Sequence, residues 1–247
     1  MSNNNGQWEA IADDYDEMNG DDGNAFHRNL IRPATLRLLN PQSGDRILDA
    51  CCGNGVFTRY LANLGANVTA FDFSPKMIDY ANTRCAGFSG HVSLSVADAT
   101  EYNQLMKLGG SSPFDKAVAN MAVMGLPEIE PLFKAVYDML KTNGVFVFSA
   151  THPCFQTPDK SFTADGSGLI TTTYIRSQRY AYQILSKSEK CAYHWHRPLQ
   201  NLLGVCFSVG FVMDGLEEPI YAFGESTHSV WAEVPLPIIV RVRKITL

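Results

Sequence analysis

The feature that most constrains this chain is the alternation between residues 45 and 150 of short apolar or β-branched runs with segments of helical spacing. Asp45 to Cys51 (DRILDAC), Asn67 to Phe73 (NVTAFDF), His91 to Ala97, Phe114 to Asn120 and Val145 to Ala150 read as five strands. Between them, Phe57 to Leu64 has the apolar spacing of a helix closed by Gly65, and Ser74-Pro75 caps another. Glu128 to Leu140 gives a further helix, ended at Asn143 and Gly144. Strands and helices in this order imply a doubly wound, mostly parallel sheet. The 247 residues, 45% of them hydrophobic, suffice for one substantial core.

The flanks are less regular. Trp8 to Asn19 has an amphipathic spacing, and a second helix is expected up to Leu39 before Asn40-Pro41. Beyond Thr151 comes a loop rich in Pro, Ser, Asp and Gly. Leu169 to Ala192 alternates enough for one or two antiparallel strands, with TTTYIRS (171–177) the clearest piece. Pro198 to Val209 reads as a helix, Phe211 to Leu216 as a strand and Pro237 to Ile245 as the last strand. The expected organisation is an N-terminal helical lid (1–40), a core (41–150), a cap or substrate insert (151–197) and the C-terminal part of the same core (198–247).

The first strand runs into DACCGNGVF, a glycine turn containing adjacent cysteines, so either a thiol site or a ligand cradle is possible. The six cysteines include no CxxC pair and have no matching histidine spacing, so no metal site is expected. Gly53-x-Gly55 before a helix allows close approach of a ligand at the carboxyl edge of the sheet. A dinucleotide fingerprint wants glycine or alanine where Thr58 stands, which counts against a nucleotide-dependent oxidoreductase. Asp72 ends the second strand, 17 residues beyond Gly55, where a carboxylate can accept both ribose hydroxyls. Together the two features point to a nucleoside.

The stretch ILDACCGNGVFTRYLANLGANVTAFDFSPKMIDYA resembles the first two motifs of class I S-adenosylmethionine-dependent methyltransferases. VADATEY and the run from Phe114 to Ser149 resemble the next two, in order. HRPLQNLLGVCFSVGFVMDGLEEP is similar to the C-terminal helix and strand of small-molecule members. The resemblance implies a Rossmann-like, seven-stranded sheet whose last strand is antiparallel. It also implies S-adenosylmethionine as cofactor and S-adenosylhomocysteine as product. Carried over, Asp49 and Gly53 would lie near the methionine part, Gly55 under the ribose and Asp72 on its hydroxyls. Phe73 and Met77 would sandwich the adenine with Ala99, though both also have the spacing of core residues; Asp98 would receive the adenine amine. Asn120 and Met121 would line the methionine side, and Tyr15 would close over the cofactor unless it is ordinary helix packing. Arg28 is a candidate carboxylate partner. Cys51 stands where the family often has glycine, a position a cysteine fills only with ordinary backbone angles.

If the acceptor is a hydroxyl, a general base is useful, and His152, His194 and His196 are the candidates. After the fourth strand the chain reads NMAVMGLP, unlike the Asn/Asp-Pro-Pro-Tyr motif of enzymes that methylate planar amino nitrogens. With a net charge of −5, this favours a small-molecule substrate and disfavours nucleic acid. No run approaches ~18 apolar residues and the N-terminus is polar, so no membrane partner is expected and a cytoplasmic location is. A fold relative that binds the cofactor without transferring methyl is the alternative.

Overall fold

The computed structural model describes residues 5–110, 112–183, 191–221 and 230–245. The elements begin with α1 (Asn5–Asn19), then a π turn at His27–Ile31 leading into α2 (Arg32–Leu39). The alternating core follows as β1 (Arg46–Ala50), α3 (Val56–Asn63), β2 (Asn67–Asp72), α4 (Pro75–Arg84) and β3 (Val92–Val96). It continues through α5 (Tyr102–Met106), β4 (Phe114–Ala119), α6 (Glu130–Met139) and β5 (Leu140–Thr151). The insert holds two small hairpins, β6 (Ser161–Phe162) with β7 (Leu169–Ile170) and β8 (Gln178–Tyr182) with β9 (Ala192–His196). The chain closes with α7 (Leu199–Ser208), β10 (Phe211–Glu217) and β11 (Pro237–Lys244).

The seven-stranded sheet has the order β10-β11-β5-β4-β1-β2-β3. All neighbours are parallel except β11, which runs against both β5 and β10. Its central strands are covered on both faces, so they read as nearly continuous apolar runs. From Val145 to Ala150 every residue of β5 is buried. On one face Phe133 of α6 meets Phe146 and Phe148 edge-on at 5.2 and 5.1 Å, a geometry that adds ring electrostatics to apolar burial. Ser74 caps α4 as its sequence implies, its hydroxyl accepting from Met77 N at 3.1 Å, with Pro75 in the first turn.

Two expectations are corrected. TTTYIRS is not a strand: Thr172 and Thr173 donate their hydroxyls to the Asp159 carboxylate, and Arg176 N donates to Thr173 O in a turn. Local side-chain hydrogen bonds of this kind compete with strand pairing. The longer hairpin of the insert follows this turn, pairing Gln178–Tyr182 with Ala192–His196. The fifth strand also begins five residues earlier than its apolar run, at Leu140, because α6 passes directly into an extended segment that turns through Asn143 (φ 64°).

Candidate cofactor and acceptor site

β1 and β4 are adjacent, while their chain connections lead to β2 on one side and β5 on the other. A crevice therefore opens beyond the carboxyl ends of these strands, the place where open α/β sheets bind ligands. A cavity occupies it. The loop after β1 contributes Cys51 and Gly53, and the end of β2 contributes Asp72, Phe73 and Met77. Asp98 and Ala99 follow β3, Asn120 and Met121 follow β4, and Tyr15 comes from α1.

Asp72 organises the floor. Gly53 N donates to one of its carboxylate oxygens at 2.9 Å and Ser74 N to the other at 3.0 Å. Each oxygen keeps further lone pairs for a ligand. Burial raises its pKa, against the backbone donors that lower it. Gly53 has φ 54°, and a Cβ added there would meet only Tyr15, at 3.9 Å. Its lack of a side chain leaves a cradle that a flat polar ligand can enter. Asp98 is held by its own turn, one oxygen accepting from Thr100 N at 2.8 Å and Thr100 Oγ1 at 2.7 Å.

Asp49 lines an adjoining recess behind the glycine loop rather than the main cavity. It is 2% exposed, and burial pushes its pKa up to about 7, with the Thr58 hydroxyl donating to it at 2.6 Å and pulling the other way. Thr58, which marks only a departure from a dinucleotide turn in the sequence, is thus the buried partner of this carboxylate. Gly55 lines neither space; its glycine is demanded by α4, because a Cβ would lie 2.7 Å from Ala81 Cβ and 2.8 Å from Ala81 Cα. Arg28 likewise stays out of the cavity, its guanidinium donating to Gly23 O at 2.7 Å.

Cys51 also departs from expectation, taking φ 56° rather than ordinary angles. This left-handed conformation costs about 1 kcal/mol or more for a residue with a Cβ. Burial drives the Cys51 and Cys52 thiols well above their ordinary range, so neither is a thiolate nucleophile.

Helix α1 roofs the crevice. Asp13 takes Lys76 Nζ at 3.0 Å and the Tyr80 hydroxyl at 3.0 Å, both on α4, and Asp16 takes Arg84 at 2.9 Å and Asn54 Nδ2 at 2.7 Å. This ties down a helix that presents Trp8 and Tyr15, packed edge to face at 5.9 Å, to the cavity. Trp8 and the segment Gly125 to Pro127 line the cavity without having been singled out in the sequence. The apolar spacing of Trp8 signals a buried face; only the packing of α1 shows what that face covers.

A second space shares Trp8, Tyr15 and Met121 with the first. Of the three candidate histidines, only His194 lines it. His152 has both ring nitrogens engaged, Nε2 with Glu218 at 2.6 Å and Nδ1 accepting from Cys154 N at 3.2 Å. His196 Nε2 donates to Tyr174 O at 2.6 Å, and its ring lines a separate space with Trp195 and Arg197. Alternation along a strand puts His194 and His196 on one face, but of the two only His194 lines the second cavity.

A general methyltransferase-domain model matches residues 47–144, covering the glycine loop, Asp72 and the fourth strand. An S-adenosylmethionine-dependent methyltransferase from Mesorhizobium loti superposes with a TM-score of 0.70 at 26% identity, over 85% of this chain and 96% of that one. An uncharacterized protein of Haemophilus influenzae is 25% identical over 233 residues, 87% of each chain. A demethylmenaquinone methyltransferase of Lactobacillus johnsonii is 28% identical over 147 residues, 54% of each. With a cradle of nucleoside size at the switch point between β1 and β4, the site suits a nucleoside cofactor. The methyltransferase-domain match and the Mesorhizobium loti structure support a class I S-adenosylmethionine-dependent methyltransferase. S-adenosylmethionine is its cofactor, and the residues fit it: an open Gly53, a floor carboxylate and an aromatic roof.

Proposed function

We propose that the chain methylates a small molecule bound in the second cavity. The observation that carries this reading is the shared wall: Trp8, Tyr15 and Met121 border both spaces, so an acceptor there adjoins the cofactor under one roof. The cofactor supplies an electrophilic methyl group on a sulfonium. The chain's own residues hold and orient it. Asp72 accepts the ribose hydroxyls, Phe73, Met77 and Ala99 flank the base, Asp98 receives the base amine, and Asn120, Met121 and Asp49 border the methionine end. Methyl transfer needs an aligned nucleophile and exclusion of water more than a dedicated catalytic group. The α1 roof serves both ends.

A macromolecular acceptor is disfavoured by the net charge of −5 and by the lining of the second cavity, which among the described residues carries no Lys or Arg to meet phosphates. Incubating the protein with methyl-labelled S-adenosylmethionine and a cell extract separates the cases. Label is expected in the small-molecule fraction; label entering only RNA or protein overturns this reading.

A further inference from the structure

The second cavity carries unusually specific chemistry for a space not bordered by charge. Among the described residues that line it there is no Asp, Glu, Lys or Arg. Its walls include Trp8, Phe26, Tyr182 and Tyr221, a set of flat faces suited to a planar ligand. Set among them are two buried polar side chains whose nitrogens find no hydrogen-bond partner among the described residues: His194 Nδ1 and Gln156 Nε2. His194 is 3% exposed and Gln156 6%. Burying such groups without partners costs ~1–3 kcal/mol each, a cost that a ligand completing their hydrogen bonds removes.

The His194 ring is fixed, stacked on Tyr182 at 4.4 Å between centroids and 11° between planes. Burial lowers its pKa to about 4, with the Lys160 charge contributing in the same direction, so the imidazole is neutral near pH 7. In the tautomer protonated on Nε2, Nδ1 is a free acceptor, whereas an amide Nε2 can only donate. The pair therefore asks for a ligand that offers one hydroxyl proton and one acceptor oxygen.

Resting on the methyltransferase reading above, we infer that the acceptor is a neutral, planar hydroxy compound with a second oxygen, phenolic or enolic, methylated on oxygen. His194 Nδ1 accepts the hydroxyl and Gln156 Nε2 donates to the second oxygen. As the new carbon–oxygen bond forms and the methyl–sulfur bond breaks, the hydroxyl proton passes to His194 Nδ1. The products are the methyl ether and S-adenosylhomocysteine, and the positive charge lost from sulfur reappears on the imidazolium, so the cavity's net charge is unchanged.

Catechol serves as the probe, with o-xylene and o-phenylenediamine as shape-matched controls, titrated into protein saturated with S-adenosylhomocysteine. Catechol should bind at least ~10-fold tighter than either control, and His194→Phe and Gln156→Leu should each remove most of that preference. Affinity for S-adenosylhomocysteine should stay unchanged in both variants, which also reports that they fold. With S-adenosylmethionine, wild type should form the monomethyl ether and His194→Phe should lose ~100-fold or more in rate. Catechol binding no tighter than the controls, or ether formation undiminished in His194→Phe, overturns the inference. Failure of S-adenosylhomocysteine to bind wild type would instead overturn the methyltransferase reading itself.

Discussion

Asp72→Ala should weaken S-adenosylmethionine binding on the order of a hundredfold or more. Hydrogen bonds to a charged group are worth ~1.5–3 kcal/mol each, and a ribose offers two hydroxyls. The loss has a second source. The same carboxylate accepts from Gly53 N and Ser74 N, so its removal frees the glycine loop and leaves two backbone donors unpaired. Asp72→Asn keeps one acceptor oxygen and should fall between wild type and alanine. Calorimetric titration measures this directly. Equal affinity in wild type and Asp72→Ala would mean that the cofactor does not lie on this carboxylate.

The second large effect separates two glycines that look alike in the sequence. Gly55→Ala should cost ~2–5 kcal/mol of folding stability. A Cβ there meets Ala81 Cβ at 2.7 Å and the backbone Cα at 2.8 Å, neither of which can rotate away, at φ 79°. Overpacking of that kind costs ~1–3 kcal/mol and a left-handed alanine ~1–2 kcal/mol more. Gly53→Ala has the same backbone penalty at φ 54° but no clash, its Cβ meeting only Tyr15 at 3.9 Å. It should cost only ~1–2 kcal/mol in stability and act mainly on cofactor affinity by filling the cradle. Urea denaturation with matched cofactor titrations distinguishes them; equal stability losses in the two variants would contradict the packing account.

The contrast shows what a sequence can and cannot reveal. The strand, glycine turn and Asp72 are close in the chain, and local spacing determines how they meet, so the alternating, mostly parallel core and the approach of the glycine turn to Asp72 were readable. That Gly55 is constrained by α4 while Gly53 faces the cavity is not, because it depends on where Ala81 lands after a strand and a turn. The same limit applies to the roof. Trp8 reaches the cavity only because Asp13 and Asp16 bind Lys76, Tyr80 and Arg84, contacts between residues more than fifty positions apart. In the insert, threonines whose β-branching favours a strand are drawn into a turn by Asp159. Three histidines near the expected edge were equivalent as letters. Their partners separate them, Glu218 for His152 and Tyr174 for His196, leaving His194 facing the second cavity.

The most direct test of this account is a crystal structure of the protein with S-adenosylhomocysteine bound. The account predicts the ribose hydroxyls on the Asp72 carboxylate, the adenine between Phe73 and Ala99, and the thioether sulfur facing the wall of Trp8, Tyr15 and Met121 shared with the second cavity. A ligand bound with its ribose away from Asp72, or with its sulfur turned from that shared wall, would contradict it.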